Sequence, residues 1–320
     1  MISADPPRTW VIGAGGLLGQ AVVVELGAGG AWEPGAQFSW GDQSTLSRQF
    51  DKAVAEFSEV VSGAAWRIVW CAGVGTVSSS RDFVQAEGRA IALLVSSLRT
   101  ILGHDLSRGT FFFSSSAGAI HSGSDGTVAN EKSVPTPLTF YGEEKLAVER
   151  FLESVSHQTG LRLVVGRLSN LYGPNQNLNK PQGIISNICA LTIKRKPVPV
   201  FVSLRTIRNY LHSDDAAKQI CYALRNHEAA NSPTSETRLF HSMHEYSVGE
   251  VLKICSEVMG IEPLVQFIAR SDSERLSYNT RFSSAKVSEL LTIREVPFPV
   301  GVRQTFDSVL RAYQLGRLAG

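Results

Sequence analysis

Tyr141 and Lys145 stand four residues apart in "PLTFYGEEKLAVE", and Ser114-Ser115-Ser116 closes the apolar run "FFFSSS" upstream of them. Side chains four apart on a helix point to one side, so the Lys145 ammonium can sit near the Tyr141 phenol and favour its ionised form. A phenol tuned in this way exchanges a proton with a carbinol or a carbonyl at neutral pH, and Ser116 can hydrogen-bond the same oxygen and fix its position. The plain alternative is an ordinary amphipathic helix with Tyr141 at its N-terminal edge.

A second stretch, "TWVIGAGGLLGQ" (Thr9–Gln20), suggests what such a proton carrier would work beside. An apolar run, Trp10-Val11-Ile12, leads into glycines and then into Leu17, Leu18, Ala21, Val22, Val23 and Leu26, an apolar stripe at helical spacing. Strand, tight glycine turn and helix make a phosphate cradle. Gly13 permits the sharp turn, Gly16 lets backbone approach a pyrophosphate, and Gly19 allows close packing, while the helix N-terminus offers unpaired N–H groups. The tetrapeptide recurs at Gly27–Gly30, where it reads as a helix C-cap and loop.

Both stretches need a scaffold, and length and composition allow one. The chain has 320 residues, 43% of them hydrophobic and 19% charged, with a mean hydropathy near zero. That suits one large or two modest globular domains with a real core. The net charge of +2 is spread along the chain, and Lys194-Arg195-Lys196 reads as a solvated helix end rather than a nucleic-acid patch. No apolar run is long enough to span a membrane, and "MISADPPRTW" lacks the charged and apolar regions of a signal peptide. Cys71, Cys189, Cys221 and Cys255 form no CxxC pair, which fits reduced thiols in a cytoplasmic protein and no metal site.

Strand-like runs alternate with amphipathic helices. After the first strand and helix come a strand at "AQFSW", a helix at "STLSRQFDKAVAEFSEVVSG" and a strand at "RIVWCAG". A helix across "FVQAEGRAIALLVSSLRTIL", the strand "GTFFFSSS", a helix from Tyr141 to about Gln158 and the strand "LRLVVGRLS" follow. This order predicts an α/β fold with a doubly wound parallel sheet, its ligand at the carboxyl ends of the strands. Past Leu168 the alternation weakens at "YGPNQNLNKPQG". The expected division is a dinucleotide-binding domain over 1–168 and a smaller α/β substrate domain over 169–320, with residues about 205–230 returning to the large sheet.

These motifs together resemble the extended short-chain dehydrogenase/reductases, in the NAD(P)-dependent nucleotide-sugar epimerase/dehydratase branch, a family with a Rossmann-type sheet. "VIGAGGLLG" is similar to that family's GxxGxxG turn, "VWCAG" to its strand before the cofactor ribose, and "FFFSSSAG" to its serine strand. "PLTFYGEEKLAVE" resembles its catalytic helix. "GRLSNLYGP" resembles the segment that passes the nicotinamide and gives an asparagine, here Asn170, to the substrate. "RTIRNYLHSDDAAKQI" resembles its Arg-aromatic-His-x-x-Asp motif, which implies that Arg208 contacts the substrate diphosphate; a surface salt bridge with Asp214 or Asp215 is the alternative. The resemblance implies that Tyr141 moves the proton, Lys145 tunes it and holds the ribose, and Ser116 polarises the oxygen. Cofactor contacts are implied at Gly13, Gly16, Leu17, Leu18 and Gly19, at Cys71, Ala72 and Gly73, and at Ser114, Tyr141, Lys145 and Leu168. A homodimer is implied by analogy only.

Departures from that pattern narrow the reaction. Ala117-Gly118-Ala119-Ile120 replaces the Thr-Asp-Glu of the dehydratases, which argues against 4,6-dehydration. His121 stands about where many relatives carry a tyrosine, and either lines the sugar pocket or caps a turn. Glu87 falls near a position that is usually asparagine. With the second strand ending at Phe38-Ser39-Trp40-Gly41, Asp42 is the candidate for the cofactor ribose although two positions late, and Arg48 could meet a 2′-phosphate; the balance leans slightly to NADP over NAD. The expected activity is hydride transfer at a sugar carbon, C4, of a nucleotide sugar by a 4-ketoreductase. A 4-epimerase with tightly bound NAD is the alternative, and a non-catalytic dinucleotide-binding regulator a third.

Overall fold

The computed structural model describes residues 6–35, 37–73, 75–124, 126–178, 183–229, 234–269 and 279–318. β1 (Arg8–Ile12), α1 (Leu17–Leu26), β2 (Ala31–Trp32), α2 (Gln43–Val61), β3 (Trp66–Trp70), α3 (Arg81–Leu102) and β4 (Gly109–Ser116) alternate in chain order. The short α4 (Ala117–Ile120) and β5 (Val128–Ala129) precede α5 (Phe140–Thr159) and β6 (Arg162–Leu168). The sheet is completed from much later in the chain by α7 (Ser213–Ala229) and β10 (Ser235–Phe240), giving six strands in the order β10-β6-β4-β3-β1-β2. Every neighbouring pair is parallel.

Parallel strands with short loops require helices on both faces, so the inner strands carry apolar side chains in both directions. In β4, Phe111 and Phe113 face the layer holding Phe50, Phe57, Ile91, Leu94 and Leu152 from α2, α3 and α5. Phe112 faces the other way, toward Leu18, Val22, Ile220 and Leu224 of α1 and α7. All three phenylalanines are fully buried. In α2, Leu46, Phe50, Ala53, Val54, Phe57 and Val61 make the inward stripe.

The second strand differs from its expected place. It covers Ala31–Trp32 and not the "AQFSW" segment, pairing Thr9 with Ala31 and Trp10 with Trp32. Pro34 cannot donate to a ladder and Gly35 weakens one, so the chain leaves the sheet there. Phe38 still packs inward, 4.9 Å from Phe50 between ring centroids, while Trp40 is 45% exposed with its ring centroid 6.0 Å from that of Trp70. Their apolar alternation imitates a strand while their backbone is coil.

The later chain also builds a second core. β7 (Asn170–Tyr172), β9 (Ile207–His212) and β11 (Glu245–Ser247) form a three-stranded sheet in the order β11-β9-β7. α6 (Ile184–Ile193), α8 (Val248–Met259) and, after α9 (Val287–Leu290), α10 (Phe298–Gln314) cover it. Tyr246 stacks on Phe298 at 4.1 Å. Two further pairings, β8 (Val198–Val200) with β12 (Val265–Phe267) and β5 with β13 (Arg281–Phe282), form separate two-stranded sheets. Glu131 ties the two parts together, accepting from the Ser284 hydroxyl at 2.5 Å and the Ala285 amide at 3.0 Å. Among the described residues no helix is long and apolar enough to cross a membrane.

Candidate active site

The glycine turn sits at the carboxyl end of β1. Gly13 has φ of +90°, a backbone state that favours glycine. A Cβ on it would lie 2.5 Å from the Ala72 amide nitrogen, in the loop that follows β3. A Cβ on Gly19 would overlap the Gly13 carbonyl oxygen, so α1 packs against the turn only because that position is bare. Gly16 is the N-cap of α1, with no side-chain cap and no acidic residue in the first turn. The first amides of α1 are therefore left to an anion, and the dipole end that faces it is positive. This cradle fits the pyrophosphate of a dinucleotide.

Two strands away, β4 ends at Ser116, which caps α4 through its hydroxyl and acts on the nearby Tyr141 phenol. Tyr141 lies in the first turn of α5, whose N-cap Thr139 accepts from the Gly142 amide. One turn on, Lys145 is 5% exposed. Its ammonium donates to Glu87 Oε1 at 2.8 Å and to the Ser114 carbonyl at 2.9 Å. It also lies 4.7 Å above the Phe113 ring and 5.7 Å from the Tyr141 ring centroid. Trp70 Nε1, at the end of β3, donates to the same Glu87 oxygen at 3.2 Å. Two strand ends, of β3 and β4, and two helices, α3 and α5, thus converge on one phenol, one ammonium and one carboxylate.

Lys145 acts on the phenol in the expected direction, and burial outweighs it. Burial pushes the Tyr141 phenol above its ordinary value, Lys145 acts against that shift, Glu87 reinforces it, and the Ser116 hydrogen bond lowers it. The net direction is upward, so Tyr141 carries its proton at neutral pH rather than being favoured as a phenolate. Lys145 does not reverse the effect because burial, the largest cause, outweighs it. Burial disfavours the Lys145 ammonium, yet Glu87, Tyr141 and Glu149 raise it above its ordinary value overall.

The other expected residues are placed as follows. Leu18 is buried in the core against α7, so only its backbone is open to a cofactor, whereas Leu17 is half-buried. Cys71 donates its amide to the Ile12 carbonyl at 2.8 Å, keeping the loop from Cys71 to Gly73 beside the glycine turn. A Cβ on Gly73 would lie 3.1 Å from Glu87 Oε2. Leu168 ends β6 opposite Ser116.

Asp42 follows coil and serves as the N-cap of α2, accepting from the Ser44 and Thr45 amides and from the Thr45 hydroxyl at 2.7 Å. Those bonds, that of the Thr45 side chain first, hold its carboxyl below the usual range. The residue directly after the real second strand is Glu33, which is exposed. Arg48 is exposed on α2 and donates to Thr45 Oγ1 at 3.3 Å.

His121 is only 1% exposed. It lies in a buried network in which Arg167 donates to Glu149 at 2.7 Å and the Ser115 hydroxyl donates to Glu149 at 2.5 Å, with Arg167 Nη1 3.3 Å from His121 Nε2. His121 is a buried partner of Arg167 at the C-cap of α4.

Asn170 begins β7, two residues past the Ser116 partner Leu168, and donates to the Asn209 carbonyl at 2.9 Å. Arg208 lies in β9 opposite Tyr246 and two residues before Tyr210, the partner of Asn170. Strand side chains two apart share a face, so Asn170 and Arg208 belong to one surface of the small sheet. Asp215 is engaged elsewhere, with the Val296 amide at 2.9 Å and Lys218 at 3.5 Å.

A parallel sheet with a glycine-built helix N-terminus at its strand ends defines a dinucleotide-binding Rossmann fold. Residues 9–249 match the profile of the NAD dependent epimerase/dehydratase family, and the chain belongs to that family. It is 33% identical over 103 residues to a dTDP-L-rhamnose 4-epimerase of Burkholderia thailandensis, a match covering 32% of this chain and 28% of that protein. It is 26% identical over 112 residues to the dTDP-4-dehydro-6-deoxyglucose reductase of Escherichia coli, covering 35% of each. These matches span well under half the length of the curated relatives. The fold is similar, at a TM-score of 0.75 and 21% identity, to the UDP-glucose 4-epimerase of Thermus thermophilus in complex with NAD, over 95% of this chain and 99% of that one.

Proposed function

We propose that the protein is an NAD(P)-dependent oxidoreductase that reduces a keto group, at C4, of a nucleotide sugar. The observation that carries this reading is the grouping of half-buried Tyr141, Lys145 one turn on and Ser116 at the strand ends. A carbonyl oxygen seated there receives two hydrogen bonds, and as it becomes a hydroxyl it takes the phenolic proton. The nicotinamide, when bound, supplies the hydride. The glycine turn and the first turn of α1 would hold the cofactor pyrophosphate. Lys145 would hold its ribose and return a positive charge beside the phenolate left after proton donation. Arg208 suits the substrate diphosphate because a planar guanidinium matches phosphate oxygens. No carboxylic acid follows Ser116 in Ala117-Gly118-Ala119-Ile120, so nothing there supports water elimination.

For the cofactor, the lean is to NADP, supported by Asp42 being occupied as a helix cap and by exposed Arg48 nearby. A second reading, a 4-epimerase that retains NAD, is favoured by Glu33, the acidic residue that directly follows β2. One experiment separates them. Purified protein is mixed with NADPH or NADH and with UDP- or dTDP-linked 4-keto-6-deoxyhexoses, and absorbance at the reduced nicotinamide band is followed. Loss of that band only with keto sugar present supports the reductase. Stoichiometric NAD released on denaturation, with no net consumption of reduced cofactor, supports the epimerase, and no cofactor retained by either route rejects both.

A further inference from the structure

We propose that Glu131 is a positioning residue of the candidate site: it anchors a strap, residues 279–286, that fixes the span between Arg208 on the small sheet and Ser116 on the large one. The consequence for substrate rests on the reading given above, in which Arg208 takes the diphosphate and Ser116 the reacting oxygen.

The strap can be followed bond by bond. At its start the Asn279 side chain accepts from the Ile207 amide at 2.8 Å, and the Thr280 amide donates to the Ile207 carbonyl at 3.4 Å. Ile207 is the residue before Arg208 in β9. Arg281 donates to Glu245 of β11 at 2.8 Å. Arg281 and Phe282 then pair, as β13, with Val128 and Ala129 of β5, and the Ser283 amide donates to the Ala129 carbonyl at 3.0 Å. The Ser284 hydroxyl and the Ala285 amide donate to the two oxygens of Glu131, at 2.5 and 3.0 Å. Lys286 continues to Glu236 of β10 at 2.8 Å. One short segment thus touches β9, β11, β5 and β10.

Its middle reaches the candidate site. Phe282, 8% exposed, packs with Ala129, Leu239 and Ala117, and Ala117 is the residue after Ser116. Ala117 opens α4, and a Cβ on Gly142 would lie 2.5 Å from the Ala119 carbonyl oxygen of that helix. Gly142 follows Tyr141. A shift of Phe282 is therefore passed to Ser116 through Ala117 and to the first turn of α5 through Ala119, because close-packed interiors transmit displacement.

Glu131 is the side chain that makes the strap fast to the large sheet. Besides Ser284 and Ala285 it accepts from the Leu239 amide of β10 at 3.3 Å. Burial works to raise its carboxyl, yet the bonds it accepts, that of Ser284 foremost, bring it below its ordinary value. It is thus a charged acceptor at neutral pH, and such bonds are stronger than neutral ones. A sugar held by its diphosphate at one end and reacting at the other depends on that span, since a misplacement of about 1 Å can cost about 10²-fold in rate.

The test uses the full-length, cofactor-free protein and two readouts. Calorimetric titration compares UDP or dTDP, which reaches only the Arg208 end, with UDP-glucose or dTDP-glucose, which spans both. In E131A the nucleotide sugar should bind about tenfold or more weakly, with the bare diphosphate and NADPH within about twofold of wild type. Hydrogen exchange read by mass spectrometry should quicken at 283–286 and, away from the lost bonds, at 207–209 and 117–121, with α2 unchanged. A purely structural role would weaken all three ligands alike and quicken α2 as well. Should E131A fail to fold, E131Q, whose amide offers one acceptor oxygen where the carboxylate offers two, takes its place. A nucleotide sugar bound as tightly as by wild type, equal losses for sugar and bare diphosphate, or faster exchange confined to 283–286 overturns the proposal. Wild-type protein that binds none of these nucleotides removes the reading of the substrate site, and exchange at 207–209 and 117–121 then decides the role of Glu131 alone.

Discussion

Gly19 lies directly beneath Gly13: a methyl group on Gly19 would overlap the Gly13 carbonyl oxygen and come within 2.8 Å of the Ala14 Cα. The first helix therefore meets the turn through two bare backbones, and the amides it presents depend on that contact. Gly19→Ala should weaken NAD(P)(H) binding at least tenfold, about 1.4 kcal/mol, as read by isothermal titration calorimetry. Gly15→Ala is the control. A Cβ there meets nothing within 4 Å, and the dissociation constant should stay within about twofold, as for other uncrowded surface positions. Equal losses in the two variants would count against the packing argument.

Tyr141→Phe removes the proton and little else, since the ring remains packed beside Gly75 and Val84. The kcat for keto-sugar reduction should fall by about 10²- to 10⁴-fold, the usual contribution of a positioned general acid. Cofactor affinity should change little. Steady-state kinetics beside a cofactor titration checks both, and unchanged turnover would exclude Tyr141 as the proton donor.

The Glu149–Arg167 pair makes the interior sensitive to loss of one partner. Arg167→Met leaves the Glu149 carboxylate, 2% exposed, without its main counter-charge, and should cost about 3–5 kcal/mol in urea unfolding.

His121 adds a pH dependence. Burial first, and Arg167 next, hold its imidazole down at about 4 against an ordinary 6.5, with Glu149 opposing. Between those values the unfolded chain binds a proton that the folded chain refuses, so stability falls as pH drops through that window. At 1.36 kcal/mol per pH unit the loss reaches roughly 3 kcal/mol near pH 4. His121→Gln should remove part of that slope. His212 and His227, whose imidazoles burial also lowers, keep the remainder.

Asp42 tests cap against cofactor ligand. Asp42→Ala should lower the unfolding midpoint through loss of the α2 cap, and Asp42→Asn, which retains a capping oxygen, should recover most of it. Neither should alter the NAD(P)H dissociation constant. Because the carboxyl is held below its usual range, its contribution is complete above that range and fades as pH falls through the lowered value. A large loss of cofactor affinity in Asp42→Asn would return Asp42 to the ribose site.

What could be read from the sequence was whatever depends on neighbours along the chain. The glycine turn, the Ser116 strand end and the Tyr141-to-Lys145 helical step are local patterns, and the helices and strands around them formed within three residues of their expected ends. The second strand was misread because Phe38 and Trp40 alternate like a strand while Pro34 and Gly35 had already taken the chain out of the sheet. The burial of His121 was illegible because its partners, Glu149 and Arg167, arrive from α5 and β6. Glu87 showed in the sequence only as an unusual residue type; its bond to Lys145 exists because α3 and α5 pack side by side.

β10 carries one more consequence. It is the strand that covers the outer edge of β6, in register from Ser235 with Leu163 to Phe240 with Leu168, and it is made last of the six. As the chain is synthesised, the edge of β6 stands unpaired until residue 240 has emerged. An open edge of this kind invites pairing with other chains, so a fragment stopped near residue 168, though it holds both the glycine turn and Tyr141, should aggregate where the longer chain does not.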